Sequence, residues 1–165
     1  MRKTYVVLGA TLATALAVAC SSTPLGPVLY IIDGGCPSLP VDLVADNVTL
    51  NGSCNLGQAG AYTLSASLPI TIGACGPAPV TISATWTQSS TEVLYSTFSG
   101  AAFVGCNGAG NIDVNNIPLS GIFTFDGGIG QFADATGSAV TDGGVAVSQT
   151  GFGPAVLTMA GSLSY

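Results

Sequence analysis

The sequence predicts an all-β domain, most simply a single antiparallel β-barrel, with a β-sandwich as the alternative. Residues 80–87 alternate apolar and small polar side chains with a period of two, the pattern of a half-buried strand. Downstream of residue 19, no stretch combines apolar residues at helical spacing with strong helix formers. Gly, Pro, Asn and Asp recur between short apolar segments, as they do at the turns of barrels and sandwiches.

The scarcity of lysine favours the barrel over the sandwich. Lysine often protects exposed sheet edges from pairing with other chains, but this sequence has a lysine only at position 3. Closure of the sheet removes its edges, so a barrel needs no such protection. The predicted strands cover residues 28–32, 48–50, 62–67, 80–87, 93–98, 101–104, 119–125, 145–150 and 156–165.

Three Asp-Gly-Gly segments begin at Asp33, Asp126 and Asp142. Asp-Gly is a favoured pair in tight hairpin turns because glycine readily takes positive φ. We therefore expect these segments to be turns between strands. The alternative is that the three Asp side chains bind calcium, which prefers oxygen ligands.

The first nineteen residues have the organisation of a secretory signal peptide. Arg2 and Lys3 provide the charged start, residues 6–18 form a short apolar stretch, and small residues precede a cleavage site after Ala19. The apolar stretch is shorter than the roughly 20 residues that span a bilayer. We therefore predict a signal peptide over residues 1–19 and an exported protein.

The segment Leu16-Ala17-Val18-Ala19-Cys20 resembles the lipobox of bacterial lipoproteins, in which a diacylglycerol is attached to the cysteine. The match departs from the family at Ala17, where Leu, Val or Ile is usual. The resemblance implies a lipid on Cys20, a tether over residues 20–27 and attachment to a membrane. The expected location is then the cell envelope, at the outer membrane or cell surface. A freely secreted protein is the alternative, because the same small residues suit an ordinary signal peptidase.

The five cysteines support the lipoprotein interpretation, because an exported protein rarely keeps an odd thiol. With Cys20 lipidated, four remain and form two disulfides in an oxidising compartment. Three connectivities are open, and we favour the two pairs that are local in sequence, Cys36 with Cys54 and Cys75 with Cys106. Histidine is absent and no two cysteines have zinc-site spacing, so no metal is predicted there.

Past position 3 the chain contains no lysine, arginine or histidine, yet it carries eight acidic residues. Removal of residues 1–19 leaves a side-chain charge of about −8. Such a protein repels polyanions, so nucleic acid is excluded as a partner. The histidine of serine and cysteine triads is also absent, which argues against an enzyme of those classes. No cofactor is predicted.

Residues 127–138, Gly-Gly-Ile-Gly-Gln-Phe-Ala-Asp-Ala-Thr-Gly-Ser, resemble the G-G-T-G-R-F-A-G-A-T-G-S segment of bacterial secreted β proteins. A related G-G-x-G-x-F pattern occurs in plant dirigent proteins and allene oxide cyclases, which are eight-stranded barrels. The resemblance covers about residues 119–165 and implies a barrel, although Ile129 and Gln131 replace the usual Thr and Arg. It carries over no catalytic residue. In physical terms, the glycines permit a tight turn and Phe132 anchors the next strand in the core.

These observations predict that residues 28–165 form a non-catalytic binding or structural module. An uncharged or apolar small molecule inside the barrel, or a carbohydrate on its Ser/Thr-rich surface, fits the composition best. One alternative is an isomerase or cyclase that uses a carboxylate, such as Glu92 or Asp113, or a tyrosine in a barrel pocket. A second is an adhesion module stabilised by calcium at Asp33, Asp126 and Asp142. The side chains predicted to line a ligand site are Trp86, Tyr95, Phe98, Phe123 and Phe125.

Overall fold

The computed structural model describes residues 26–44, 47–69, 75–106, 116–148 and 151–165. The signal peptide, Cys20, Asp113 and most of the predicted tether lie outside these residues. Within them the chain forms nine strands and two short 3₁₀ turns, η1 (Gly57–Ala59) and η2 (Gly130–Phe132). The strands are β1 (Leu29–Leu39), β2 (Val41–Val44), β3 (Asn47–Asn55), β4 (Ala61–Pro69), β5 (Gly76–Ser89), β6 (Glu92–Val104), β7 (Asn116–Ile129), β8 (Thr136–Ser148) and β9 (Gly151–Ser164).

The sheet closes on itself, which confirms the predicted antiparallel barrel. From β3 to β9 each strand pairs with the next along the chain, and β9 pairs with β1. Strand β1 also pairs with β3 at Gly35 and Asn55, and β2 continues along the same side of β3 beyond Pro40. β1 and β2 therefore share one position in a ring of eight strands. A closed ring leaves no long strand edge exposed, so the barrel does not depend on lysine to protect its edges from pairing with other chains.

Large and small side chains complement each other inside the barrel. On β7 and β8, Phe125 lies opposite Gly137 and Phe123 lies opposite Ala139. Both rings are buried, as is Ala139. A small barrel has room for large side chains on one strand only where the neighbouring strand supplies small ones. This requirement explains why the interior positions of β8 are so poor in large apolar residues.

Strand β6 is continuous where the sequence predicted two strands, 93–98 and 101–104. Gly100 lies between the two predicted segments and pairs with Gly121 on β7. The ring of Phe98 lies over this pair, because a Cβ added at either glycine would come within 2.8 Å or 2.6 Å of its tip. Gly100 thus makes room for an aromatic ring and does not end the strand.

The prediction that the Asp-Gly-Gly segments are turns is wrong, because all three lie in strands β1, β7 and β8. Their glycines allow close approach of a neighbouring backbone. A Cβ on Gly34 would collide with the carbonyl of Asn55, and one on Gly143 would collide with the carbonyl of Val156. A glycine in a strand often marks such an approach.

The segment after β7 does turn as expected. Gly130 has a φ of 71° and opens η2, and Phe132 at the end of η2 is fully buried. Positive φ is readily accessible to glycine, and the buried ring holds the turn against the core.

Both predicted disulfides are confirmed. Cys36–Cys54 joins β1 to β3 beside the pairing of Gly35 with Asn55, so it reinforces the seam where the barrel closes. Cys75–Cys106 joins the chain just before β5 to the chain just after β6. Each closure removes conformational freedom from the unfolded chain and contributes about 3 kcal/mol.

Hydroxyl side chains cover much of the outer face. One row crosses five adjacent strands, with each residue paired to the next in the sheet register. The residues that alternate with them along each strand point inward and are mostly apolar, whereas the outer face mixes hydroxyl groups with exposed apolar side chains such as Ile122 and Val140. The row consists of Ser83, Thr97, Thr124, Ser138 and Ser162.

Candidate functional site: a cavity at one end of the barrel

The interior of the barrel differs between its two ends. At the first, which we call the aromatic end, lie η1, η2 and the connection between β5 and β6. We call the opposite end, where β4 and β6 finish and β5 and β7 begin, the aliphatic end. The rings gathered at the aromatic end are Tyr30, Tyr62, Trp86, Phe132 and Tyr165.

Trp86 is the centre of the filled half of the barrel. Its ring lies 5.2 Å from Phe123 and 6.2 Å from Phe125, centroid to centroid, in edge-on arrangements. Its indole Nε1 donates a 2.8 Å hydrogen bond to the buried Oγ of Ser96. The exposed fraction of Trp86 is 0%. The indole therefore buries its apolar area and also satisfies its one polar group.

Tyrosine rings complete the aromatic end. Tyr30 and Tyr165 stack with centroids 4.7 Å apart, and Phe132 meets Tyr165 edge-on at 4.6 Å. The hydroxyl of Tyr62 donates a 3.0 Å hydrogen bond to the Ala59 carbonyl. Burial raises the pKa of Tyr62 above its ordinary value, and the neighbouring Tyr165 adds to the shift. Burial, followed by a hydrogen bond with Tyr30, raises the pKa of Tyr165 to about 12.

Polar side chains tie the two 3₁₀ turns together at this end. The Nε2 of Gln131 donates to the Oε1 of Gln88 at 3.1 Å, and the Nε2 of Gln88 donates to the Ala59 carbonyl at 3.4 Å. The backbone N–H of Gln131 donates to the Oε2 of Glu92 at 3.1 Å. Glu92 therefore has a structural contact at the aromatic end.

The aliphatic end contains a cavity of about 390 Å³. This volume falls in the range of roughly 300–1,000 Å³ that is typical of small-molecule sites. Seven strands, β3 to β9, contribute to its wall. The residues around it are Val48, Leu50, Leu68, Ala78, Pro79, Val80, Thr81, Ile82, Ala102, Val104, Ile117, Leu119, Val145 and Phe152.

The positions of these residues place the cavity among the strand ends. Val104 is the last residue of β6, and Ile117 and Phe152 are each the second residue of their strands, β7 and β9. The disulfide Cys75–Cys106 lies at the same end. The connections 45–46, 70–74, 107–115 and 149–150 are outside the described residues.

The cavity wall is chemically uniform. Among its described residues, Thr81 has the only polar side chain, and none carries a carboxyl or phenol group. Throughout the described part of the chain, every buried side-chain nitrogen or oxygen has a hydrogen-bond partner. The wall therefore attracts a ligand by apolar contact, and the described lining supplies no group for proton transfer.

The five aromatic residues predicted to line a ligand site are absent from the described lining of this cavity. Trp86, Phe98, Phe123 and Phe125 pack together in the core, each with an exposed fraction of 2% or less. Tyr95 lies on the outer face and is 42% exposed. Phe98 lies between the two halves, because it contacts Phe123 at 5.0 Å and pairs in the sheet with Ile82 of the cavity wall.

The inward side chains of β5 differ in size between the two ends of the barrel. They run from Trp86 at the aromatic end through Ala84, Ile82 and Val80 to Ala78 at the aliphatic end, so the largest lies in the filled half but the order is not a steady decrease. A barrel of roughly constant width is filled where its inward side chains are large and hollow where they are small. Because the small Ala84 lies next to Trp86 in this order, β5 alone does not show which end is hollow, and the inward positions of all strands must be compared.

The three aspartates of the calcium alternative lie exposed on separate strands, Asp33 on β1, Asp126 on β7 and Asp142 on β8. In the described segments, no three acidic, cysteine or histidine side chains come together as a metal site. The described residues also form no helix long and apolar enough to cross a membrane.

No family model matches this chain. A search of curated proteins and a search of solved structures likewise found no match. The resemblances to the lipobox and to the G-G-x-G-x-F segment therefore remain at the level of the motifs. The site must be interpreted from its own geometry.

Proposed function

We propose that this protein is an exported, lipid-anchored module of the cell envelope that binds an apolar small molecule in the cavity at its aliphatic end. The cavity itself is the observation that supports binding. It joins a suitable volume to a wall of aliphatic side chains, and burial of a ligand there gains about 25 cal/mol per Å² of apolar surface.

A pair of substitutions tests binding. Ala102→Phe places a ring in the cavity. We therefore expect it to abolish binding of the uncharged fluorophore N-phenyl-1-naphthylamine and to leave the melting temperature nearly unchanged. The matched control is Ala139→Leu in the filled half, where Ala139 is 1% exposed. Overpacking there is expected to lower stability by about 1–3 kcal/mol.

Two results would contradict the proposal. One is the absence of fluorophore binding by the unmodified protein. The other is unchanged binding by the Ala102→Phe variant, since a ligand at another site does not sense a ring in this cavity. Binding by Ala139→Leu at temperatures where it is folded serves as the positive control.

The proposed location in the cell envelope rests on observations that are independent of the cavity. The two disulfides are compatible with export, because such bonds persist in oxidising compartments. The lipobox-like segment supports lipid attachment at Cys20. The intact mass of native protein extracted from membranes tests this directly. We expect a chain that begins at Cys20 and carries a diacylglycerol-sized increment, and that gains four protons on reduction.

A Cys20→Ser variant is the control for the anchor. It should lose the mass increment and leave the membrane fraction, with both disulfides intact. An unmodified chain that is released into the medium would make the protein a freely secreted one. The cavity proposal would stand in that case, because the barrel is the same.

A further inference from the structure

The described wall of the cavity stops at the same depth on two adjacent strands. On β6 and β7 its innermost residues are Ala102 and Leu119, which pair with each other in the sheet. The next positions that face the interior are Gly100 and Gly121, which also pair and are absent from the described lining. These two strands therefore have no side chain of their own at the level where the cavity ends.

The ring of Phe98 occupies the space that the two glycines leave. A Cβ added at Gly100 would lie 2.8 Å from the Cζ of Phe98, and one added at Gly121 would lie 2.6 Å from it. Because Cζ is the tip of the ring, the side chain extends from its own position on β6 toward the aliphatic end. Phe98 is 0% exposed, and Phe123 contacts it at 5.0 Å. Phe98 therefore closes the cavity on the side of β6 and β7.

The volume of the cavity limits the size of a ligand, and the wall limits its chemistry. An apolar cavity of about 150 Å³ holds benzene, so about 390 Å³ corresponds to a hydrocarbon of roughly 12–15 carbon atoms. No residue of the described wall is charged, and burial of a charge without a partner is strongly unfavourable. The group that fits this space is thus an uncharged hydrocarbon of limited length.

We propose that Phe98 determines the specificity of the cavity, because its ring sets the longest hydrocarbon chain that can be buried there. This rests on the proposed function of the cavity and adds the residue that selects ligand size. Each further carbon that finds room tightens binding about fourfold. A carbon that meets the Phe98 ring gains nothing, since it stays in water or must displace a packed side chain. Removal of the ring extends the cavity toward the filled half.

A competition between 1-dodecanol and 1-hexadecanol tests this role. The two alcohols have the same hydroxyl group and differ by four carbons, so the position of the hydroxyl group does not enter the comparison. Both are offered together from one cyclodextrin-solubilised stock, and the alcohols retained by the reisolated protein are quantified by gas chromatography. The supply is identical for every variant, so differences in solubility cancel when the bound ratios are compared.

Phe98→Ala is the variant with the largest expected effect. It vacates the space of at most six carbons, and partial collapse of the surroundings reduces this to about three to five. We expect the ratio of bound hexadecanol to bound dodecanol to rise at least about tenfold over that of the unmodified protein. Phe98→Leu keeps more of the packing and should raise the ratio about two- to fourfold, the value of one additional carbon.

Phe125→Leu is the matched control. It makes the same substitution on β7 beside Trp86, in the filled half, where the ring does not border the cavity. We expect its bound ratio to equal that of the unmodified protein. If Phe98→Ala does not fold, the two leucine variants decide the question by themselves.

The outcomes separate this inference from the proposed function. If the unmodified protein retains neither alcohol and does not bind N-phenyl-1-naphthylamine, the proposed function fails. If it binds the fluorophore but retains no alcohol, or if the Phe98 variants leave the ratio unchanged, the role of Phe98 is refuted and the binding function stands. An equal rise in Phe98→Leu and Phe125→Leu would also refute it, because loss of any core ring would then suffice.

Discussion

The two ends of the barrel share one backbone architecture and differ in the size of the side chains that point inward. At the aromatic end, Trp86 contacts Phe123 and Phe125 and its indole is hydrogen-bonded. At the aliphatic end, the same strand turns Val80 and Ala78 toward a cavity. The comparison shows that the two halves of a small barrel can differ in packing and in role. One half supplies the packing that stabilises the fold, and this allows the other half to remain hollow.

Substitution of Trp86 in the filled half is expected to cause the largest loss of stability. Trp86→Ala should lower the free energy of unfolding by about 4–5 kcal/mol, because it removes a fully buried ring and leaves the Ser96 hydroxyl without its partner. Ile82→Ala is the matching substitution at the cavity wall. It should lower the free energy of unfolding by only about 2 kcal/mol, since the Ile82 side chain borders the cavity. Urea unfolding with the disulfides intact measures both. Equal losses would show that the two ends are packed alike.

The two disulfides are also expected to differ in how much they stabilise the fold, although by less. Replacement of Cys36 and Cys54 by alanine should cost about 4 kcal/mol, against about 3 kcal/mol for Cys75 and Cys106. The seam pair spans 18 residues and the other pair spans 31, so loop entropy alone predicts the opposite order. Burial reverses it, because Cys36 and Cys54 are 0% and 3% exposed and their loss leaves a gap in the core.

Urea unfolding of the two double variants decides between these effects. A larger loss for the Cys75–Cys106 variant would mean that loop length outweighs packing at the seam.

The smallest expected effect is an alkaline loss of stability that originates at the aromatic end. The pKa of Tyr165 is raised to about 12, so folding favours its protonated form. Its contribution is fully present below the ordinary tyrosine pKa of about 10 and is lost as the pH rises toward 12. Tyr62, whose pKa is also raised, acts in the same direction.

Melting temperatures between about pH 8 and pH 11 test this linkage. The melting temperature should fall by a few degrees at the alkaline limit, and Tyr165→Phe should flatten the decline. Tyr95→Phe on the outer face is the control and should follow the parent. An identical decline in all three proteins would place its origin elsewhere.

The strand pattern and the disulfides could be read from the sequence because both depend on local features. Residues 80–87 alternate strictly and lie within β5, and the two sequence-local cysteine pairs form. The sequence does not predict the first part of β8, because its inward residues include Gly137, Ala139 and Gly143, which are small and give a weak alternating signal. They are small because β7 opposite them carries Phe125, Phe123 and Leu119.

The cavity could not be read from the sequence because it depends on register across seven strands. Aromatic residues often line pockets, so the sequence suggests Trp86, Phe98, Phe123 and Phe125 as ligand contacts. In the structure the same rings pack against one another in the core and are absent from the described lining of the cavity. Which end is hollow becomes apparent only when the inward positions of all strands are aligned, since no single strand encodes the width of the space.

The path of the chain into the barrel has a practical consequence for orientation. Val28 and Tyr165 exchange backbone hydrogen bonds of 2.9 Å and 3.2 Å, so β1 begins, and β9 finishes, at the aromatic end. The chain before residue 28 is thus joined to the end of the barrel opposite the cavity. A sensor chip coupled through that segment would hold the barrel by its aromatic end and leave the aliphatic end, with its cavity, facing the flowing solution.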